Sequence, residues 1–271
     1  MAQGMVRSAE VSIGGARYRI ASDDDYLARI GPEFEPQTTA LLGTLFRADS
    51  VVLDIGANIG CTAIFFGAVA RRVIAFEPSP TTFELLRVNV AEAGLRGVEL
   101  HNFGLGAVPG SSELTFAPSN RAGGFVSDKT TASVGHVTEP ISIRRLDDVA
   151  PALSLDGIDL VKVDVEGFEQ SVLQGARGTI DRFRPIAALE LNHWCLNALQ
   201  RICVPDFLDY LCSIFPILVA VDGDTYLDVR DPAERYIVMY HHIIHFRYVN
   251  LVAAFSDDQL QTFRARYRHS S

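Results

Sequence analysis

The hydrophobic positions of this chain fall into short continuous runs that alternate with segments of helical spacing. The apolar runs predict buried strands at 51–55, 73–76, 98–103, 158–165, 186–191, 217–221 and 236–240. The segments between them predict helices at 37–46, 60–70, 80–93, 168–182 and 203–215. Continuous apolar runs are typical of parallel strands covered on both faces. Regular alternation of the two elements indicates an α/β protein with a doubly wound, mostly parallel sheet.

Two segments depart from this alternation. Residues 10–20 alternate around a Gly-Gly pair and predict a small hairpin. Residues 111–145 contain two strand-like stretches separated by a passage rich in glycine and serine, which predicts an antiparallel β insertion with a mobile loop. The pair Gly123-Gly124 would let this loop close over a cleft and exclude water. Arg121, Lys129 and His136 in the same segment are candidates for contacting an acceptor.

The absence of internal repeats and of low-complexity linkers predicts a single domain. It would span 1–271, with a hairpin and helix extension at 1–48, a catalytic core at 49–240 and a C-terminal tail at 241–271.

Composition narrows the class of protein. The 271 residues are 48% hydrophobic and 21% charged, which is typical of a globular chain with a large core. A net charge of −9 disfavours nucleic acid and anionic membranes as partners. The four cysteines form no CxxC pair, which indicates free thiols in a reducing compartment. The first ten residues lack the apolar core of a signal peptide, and the most apolar late stretch contains three histidines and an arginine. We therefore expect a cytoplasmic protein without stable membrane insertion.

A glycine loop and two acids follow the first two predicted strands. The first strand contains Asp54 and continues into the loop Gly56-Ala57-Asn58-Ile59-Gly60, and the second strand ends at Glu77. Gly56 allows a sharp turn and close approach of a ligand to the backbone. Gly60 lets the next helix begin close to the sheet, with its free N–H groups aimed at the ligand. An acid at the position of Glu77 suits the two hydroxyls of a ribose, so this strand edge predicts a nucleoside site.

The loop discriminates between two kinds of nucleoside cofactor. A dinucleotide fingerprint needs a second glycine beside the pyrophosphate, and Asn58 occupies that place. A nucleoside with an amino-acid tail fits better, because Gly56, Ala57 and Asn58 would border the methionine portion and Asp54 could hold its ammonium. The loop therefore favours S-adenosylmethionine over NAD(P), although an oxidoreductase stays open as an alternative.

Further acids follow the strands predicted at 158–165 and 186–191. We expect Asp164 to lie near the reacting methyl group, and Glu166 with Gly167 to shape the turn into the next helix. Glu190 and His193 should reach the same edge of the sheet. A carboxylate beside an imidazole is a candidate general-base pair, and such a pair contributes ~10²–10⁴ in rate.

Several segments together resemble one family. VVLDIGANIG, FEPSP, the LDD at 146–148 and KVDVEGFEQSVLQGA, followed by a strand that ends in Glu190, resemble the FkbM family of S-adenosylmethionine-dependent methyltransferases over roughly residues 35–195. The resemblance implies a class I methyltransferase sheet of seven strands, the last antiparallel. It also implies methyl transfer to a hydroxyl of a sugar or a natural product.

Carried over by position, the resemblance assigns site residues. It implies a ribose contact at Glu77, an adenine border at Asn102 and Phe103, and a sulfonium contact at Asp164. Together the residues expected to bind the cofactor are Glu35, Asp54, Gly56, Ala57, Asn58, Gly60, Glu77, Pro78, Asn102, Phe103 and Asp164. The residues expected to carry catalysis are Asp164, Glu166, Glu190 and His193.

These observations predict an O-methyltransferase that acts on a small-molecule hydroxyl and releases S-adenosylhomocysteine. The alternatives left open are an N-methyltransferase, an NAD(P)-dependent oxidoreductase and a non-catalytic cofactor-binding module. His241, His242 and His245 predict a polar lining that faces substrate, and we expect no metal. Oligomeric state is left open, with a homodimer compatible with the sequence.

Overall fold

The structure, a computed structural model, describes residues 5–130 and 134–270; residues 131–133 of the predicted mobile loop therefore lie outside the described part. The strands are β1 (Arg7–Ile13), β2 (Ala16–Ser22), β3 (Val51–Ile55), β4 (Arg72–Phe76), β5 (Val98–His101), β6 (Gly104–Leu105), β7 (Gly110–Ala117), β8 (Asn120–Val126), β9 (Val137–Arg144), β10 (Leu160–Val163), β11 (Ile186–Glu190), β12 (Ile217–Asp222), β13 (Thr225–Asp228), β14 (Asn250–Ala254) and β15 (Arg268–His269). The α-helices are α1 (Tyr26–Ile30), α2 (Pro36–Leu42), α3 (Cys61–Gly67), α4 (Pro80–Glu92), α5 (Leu146–Val149), α6 (Glu169–Gly175), α7 (Arg177–Phe183), α8 (His193–Cys195), α9 (Val204–Ile214), α10 (Pro232–His245) and α11 (Gln261–Arg266). No helix within the described residues has both the length and the apolar character needed to cross a bilayer.

The central sheet is mixed and has nine strands. Their order is β15-β13-β12-β14-β11-β10-β3-β4-β5. Strands β5, β4, β3, β10 and β11 run parallel, and β14 is antiparallel to both β11 and β12. The α/β class and the antiparallel strand agree with the sequence prediction. The predicted count of seven strands is too low, because β13 and β15 extend the edge beyond β12.

The sheet is covered on both faces, as its apolar runs predict. Alternate residues of a strand point to opposite faces, and accordingly Leu53 and Val161 join one hydrophobic cluster while Val52 and Leu160 join another. The first cluster includes side chains from α6, α7 and α9, and the second includes side chains from α2, α3 and α11. Because helices occupy the two faces, a ligand can reach the sheet at the ends of its strands.

The prediction of a strand at 236–240 is wrong, because these residues lie within α10. The helix begins at Pro232 and is capped by Asp231, whose Oδ1 accepts hydrogen bonds from the N–H groups of Ala233 (2.9 Å) and Glu234 (3.0 Å). An aspartate followed by proline is a helix-start signal, and it outweighs the β propensity of the segment YIVMY.

The antiparallel strand between β11 and β12 is instead β14. The predicted boundary of the core at residue 240 is therefore also wrong, since the segment assigned to a tail supplies an inner strand. The helix predicted at 168–182 is present as two helices, α6 and α7, which meet at Ala176.

The predicted hairpin and β insertion are both present. Strands β1 and β2 form the hairpin, and β6, β9, β7 and β8 form a separate four-stranded sheet. Arg121 of β8 ties this sheet to the N-terminal segment, because its guanidinium makes two hydrogen bonds to Asp23 (2.7 and 2.8 Å) and one to Thr81 (2.6 Å). Arg121 and Ala122 thereby lie over the carboxyl ends of the central strands.

Candidate functional site

Two adjacent cavities open at the carboxyl ends of the parallel strands. The Glu77 cavity lies over the ends of β3, β4 and β10, and the Glu190 cavity, with a volume of about 280 Å³, lies over the ends of β3, β10 and β11. The residues that line both cavities are Gly56, Asn58, Ala122, Asp164 and Glu166. Ligands of open α/β sheets bind at this edge, so the two cavities form one candidate site with two compartments.

Glu77 is buried at the end of β4 and organises the glycine loop. Its Oε2 accepts a hydrogen bond from the N–H of Asn58 (3.0 Å) and its Oε1 accepts one from the N–H of Ser79 (2.9 Å). Burial raises the pKa of Glu77 to about 7, although both N–H groups oppose this shift. Each carboxylate oxygen can accept more than one hydrogen bond, so Glu77 can shape the loop and also bind a diol.

Gly56 allows the loops after β3 and β10 to touch. Its φ is +80°, and a Cβ atom added there would lie 1.9 Å from the carbonyl oxygen of Asp164. The N–H of Asp164 in turn donates to the carbonyl of Ile55 at 3.2 Å. A side chain at position 56 would therefore separate the two loops that meet between the cavities.

Lys162, which was not among the predicted site residues, lies beneath the contact between the loops after β3 and β10. Lys162 of β10 is opposite Asp54 of β3 in the parallel register, and its Nζ lies 3.3 Å from Asp54 Oδ1 and 3.5 Å from Asp164 Oδ2. The same ammonium donates to the carbonyl of Gly56 at 2.9 Å. Burial alone would lower the pKa of Lys162, but Asp54 and Asp164 raise it above its usual value, so the side chain stays cationic. A lysine within a buried strand was the signal that could have revealed it.

This pairing changes the predicted role of Asp54. The side chain is fully buried, it faces Lys162, and its other oxygen accepts a hydrogen bond from the hydroxyl of Thr62 (2.7 Å). Asp54 does not line either cavity, so it orients Lys162 rather than meeting a ligand ammonium directly.

Three carboxyl groups come together where the two cavities meet. Asp164, Glu166 and Glu190, here called the acid cluster, each offer an oxygen, and these oxygens lie within 4.8 Å of one another. Burial, followed by the charge of Asp164, raises the pKa of Glu166 to about 7. The same two causes raise the pKa of Glu190 well above that of an ordinary carboxyl. Close like charges cannot all ionise without cost, so the acid cluster retains protons near neutral pH or holds a cation.

Neighbouring groups orient the acid cluster. Cys195 donates its thiol to Glu166 Oε2 at 3.1 Å. Glu169, which is buried, accepts hydrogen bonds from the N–H groups of Val165 (3.1 Å) and Gly167 (3.2 Å) on either side of Glu166. Glu190 Oε2 is buried and has no hydrogen-bond partner among the described residues. One polar atom of the cluster is thus left to interact with a ligand.

The predicted pairing of Glu190 with His193 is wrong. His193 lines neither cavity; its backbone N–H donates to His242 Nε2 at 3.2 Å, and its ring lies against His242 and Phe246. The chain turns away after β11 because Asn192 caps α8 by accepting the N–H of Cys195 at 3.2 Å. An imidazole three residues past a strand end therefore does not reach the cleft.

The other histidines do not line the cavities either. His242 is buried on the inner side of α10, where burial lowers its pKa to about 4, and its Nδ1 lies 2.7 Å from the carbonyl oxygen of Arg247. His241 and His245 are neighbours on the same helix, with ring centroids 5.6 Å apart. The two cavities therefore give no support to the predicted substrate-facing lining of α10, and His242 is a packing residue.

The structure separates the remaining predicted cofactor residues into two groups. Glu35, Ala57 and Pro78 line one of the cavities, as do Gly56 and Asn58. Gly60, Asn102 and Phe103 line neither cavity, so their contact with the cofactor stays a prediction. The reasons differ: Gly60 packs against Leu86, Asn102 is exposed and donates to the carbonyls of Glu77 and Pro78, and Phe103 belongs to the core.

The walls of the Glu77 cavity come instead from residues that the sequence reading did not select. They are Leu105 of β6, Ile143 of β9 and Phe168 after Gly167. Phe168 lies in the VEGFE segment, so its place beside Glu166 was a usable signal.

These features define an α/β protein with a cleft at the strand ends. The cleft combines a glycine loop, the buried Glu77, which can bind a diol, and the acid cluster. Residues 54–211 match the Methyltransferase FkbM domain, and the chain belongs to this family of methyltransferases. The resemblance identified in the sequence is thereby confirmed.

Three curated relatives illustrate the match. Methyltransferase 1 of Beauveria bassiana is 30% identical over 58% of this chain and 66% of its own length. Hexuronic acid methyltransferase AglP of Haloferax volcanii is 33% identical over 64% of this chain and 70% of its own length. 2-O-methyltransferase NoeI of Sinorhizobium fredii is 29% identical over 53% of this chain and 64% of its own length. The chain thus spans about two thirds of the length of these relatives.

Proposed function

We propose that this chain is an S-adenosylmethionine-dependent O-methyltransferase that methylates a hydroxyl of a small molecule, either a sugar unit or a natural-product scaffold. Membership of the FkbM family supports methyl transfer. The names of two relatives, a hexuronic acid methyltransferase and a 2-O-methyltransferase, support a sugar hydroxyl as acceptor. The observation that carries the proposal is the meeting of the two cavities at Asp164, with acids from the neighbouring strands on either side.

The residues of the Glu77 cavity fit an adenosine. Glu77 can accept hydrogen bonds from the ribose hydroxyls, and Leu105, Ile143 and Phe168 offer apolar surface to the base. The glycine loop at 56–58 borders both cavities, so it can hold the amino-acid portion. When bound, S-adenosylmethionine supplies an electrophilic methyl group. The acid cluster would attract its positive charge, because its three carboxyl groups offer oxygens within 4.8 Å of one another.

The Glu190 cavity would hold the acceptor. Asp164 is nearly half exposed to it, with a side chain 45% accessible, and can accept the proton of an acceptor hydroxyl. Glu190 retains its own proton near neutral pH and can donate a hydrogen bond that orients the acceptor or Asp164. Lys162 keeps Asp164 in place from below. The residues thus position the hydroxyl and remove its proton, which are the two contributions that such a reaction requires.

The test has a binding part and a turnover part. We expect Glu77→Ala to weaken S-adenosylhomocysteine binding about 10- to 100-fold in calorimetric titration, since hydrogen bonds to a charged group contribute ~1.5–3 kcal/mol. Asp164→Asn should lower the rate of S-adenosylhomocysteine formation by ~10²–10⁴ with a hydroxylated acceptor. Glu92→Gln, an exposed change on α4, is the matched control. Unchanged affinity in Glu77→Ala would overturn the site assignment.

A second candidate is N-methylation of a small-molecule amine. The observation that favours it is the acid cluster, because three close carboxyl groups attract a cationic acceptor. A cationic amine must lose a proton before it attacks, but it is acidic enough to lose that proton to water and needs no general base, so the two functions differ in their response to one variant. If Asp164→Asn retains near-normal turnover with an amine while no hydroxylated acceptor is methylated, N-methylation replaces the first proposal.

A further inference from the structure

We propose that the outward face of α10 is the surface through which two copies of this chain form a symmetric dimer. This face, called the α10 face, consists of Tyr236, Ile237, Tyr240, Ile243 and Ile244. It lies away from both cavities, and the proposal is independent of the proposed function.

The α10 face is apolar where a surface helix is ordinarily polar. Its five side chains are 64%, 40%, 49%, 47% and 59% exposed in chain order, and their spacing places them on one side of the helix. The opposite side carries the buried Val238 and His242, which pack against the body of the protein. The rings of Tyr236 and Tyr240 stack with centroids 6.4 Å apart, which makes the exposed surface continuous. A continuous apolar patch of this size is typical of an interaction site.

The exposed area is a large part of what a dimer needs. An aromatic side chain covers about 200 Å² and an isoleucine somewhat less, so five such side chains about half exposed contribute about 500 Å². This is more than half of the roughly 800 Å² that each partner contributes to a standard interface.

The chemistry of the α10 face favours a second copy over a membrane. The segment 236–245 contains no lysine, arginine or carboxylate, so self-association would desolvate no permanent charge from it. With a net charge of −9 and no cation on this face, an anionic lipid surface would repel the chain.

The face is also self-complementary. The tyrosines occupy its N-terminal half and Ile243 and Ile244 its C-terminal half. A two-fold axis that packs two α10 helices antiparallel therefore sets the rings of one copy against the isoleucines of the other.

Sedimentation equilibrium of the full chain tests this proposal. We expect the wild-type chain to sediment at twice its 29.7 kDa mass at micromolar concentration, and Tyr240→Glu and Ile244→Glu to sediment as monomers. Each substitution places two like charges in the interface, so the dissociation constant should rise at least ~100-fold. Val88→Glu is the matched control, because Val88 is a 45% exposed apolar residue on α4. This variant should remain dimeric.

Two further measurements distinguish the outcomes. Circular dichroism melting of each variant checks that the monomeric variants are folded, and S-adenosylhomocysteine titration checks the cleft separately. A monomeric wild-type chain, or a dimer that persists in both glutamate variants, overturns the proposal. Flotation of the wild-type chain with phosphatidylcholine vesicles that Ile244→Glu abolishes would assign the α10 face to a lipid surface and also overturn it.

Discussion

Replacing Glu190 by glutamine should make the chain more stable than the wild-type chain, and the difference should grow as the pH rises. Burial and the neighbouring Asp164 and Glu166 raise the pKa of Glu190 in the folded chain, whereas the ordinary value is 4.5. Above pH 4.5 the unfolded chain therefore loses this proton while the folded chain keeps it, and the free energy of unfolding decreases with pH. Glutamine occupies nearly the same volume and carries no charge, so Glu190→Gln removes this contribution.

The magnitude follows from proton linkage. Each pH unit over which only the unfolded state is ionised lowers the free energy of unfolding by about 1.4 kcal/mol per group. Between pH 5 and pH 7, Glu190 should lower the free energy of unfolding of the wild-type chain by about 3 kcal/mol. The difference in the free energy of unfolding between Glu190→Gln and the wild-type chain should therefore increase by about 3 kcal/mol between pH 5 and pH 7.

Urea unfolding at pH 5, 6, 7 and 8 measures the difference. The control is Glu92→Gln, which removes an exposed carboxyl and should follow the wild-type curve at every pH. Glu77, whose pKa burial raises to about 7, remains in both chains and is not among the groups that act on Glu190, so its contribution cancels in the comparison. If the gap between Glu190→Gln and the wild-type chain stays constant with pH, Glu190 is ionised in the folded protein and the reasoning is refuted.

Three further predictions concern the same cleft. Binding of S-adenosylmethionine should release more protons from the acid cluster than binding of S-adenosylhomocysteine, whose sulfur carries no charge. Calorimetry in buffers of different ionisation enthalpy measures this difference, and equal release contradicts the prediction. Lys162→Met should lower the free energy of unfolding by ~3–5 kcal/mol because it leaves Asp54 buried and unpaired, whereas exposed Lys129→Met should change it little. Gly56→Ala should lose S-adenosylhomocysteine binding because its Cβ would meet a carbonyl oxygen at 1.9 Å. Gly15 has a similar φ but no atom close to the position of an added Cβ, so Gly15→Ala tests the effect of backbone strain alone. Equal losses of binding in the two variants would refute the steric explanation.

Local sequence determined much of the fold. The strand at 51–55 was predicted with its observed bounds, because an apolar run followed by glycine leaves few other local structures. The hairpin was also predicted correctly, because Gly14-Gly15 permits the turn. The start of α4 was predicted from its capping residue, Ser79, which accepts the N–H of Thr82 at 3.1 Å. The resemblance to the FkbM family depended on segments of this kind.

Tertiary structure decided the relations between distant segments. YIVMY reads as a strand by propensity, but the cap at Asp231 and the packing of Val238 make it a helix, and β14 enters the sheet in its place. The ion pair between Lys162 and Asp54 exists because β10 lies beside β3 in one particular register, although the two residues are far apart in the chain.

 Neither residue signals its partner in the chain, because strand order and register are set by the packing of the whole sheet.

The site divides in the same way. The residue types at the strand ends, among them Glu77, Asp164 and Glu190, were readable from the sequence because an acid directly after a buried strand has few structural uses. Their side-chain directions were not readable, and His193 turns away from the cleft while Phe168 lines it. Local sequence patterns are enough to predict which chemical groups lie at the edge of the sheet. Which of these groups share a cavity depends on contacts between segments far apart in the chain, so it follows from the packing of the whole fold.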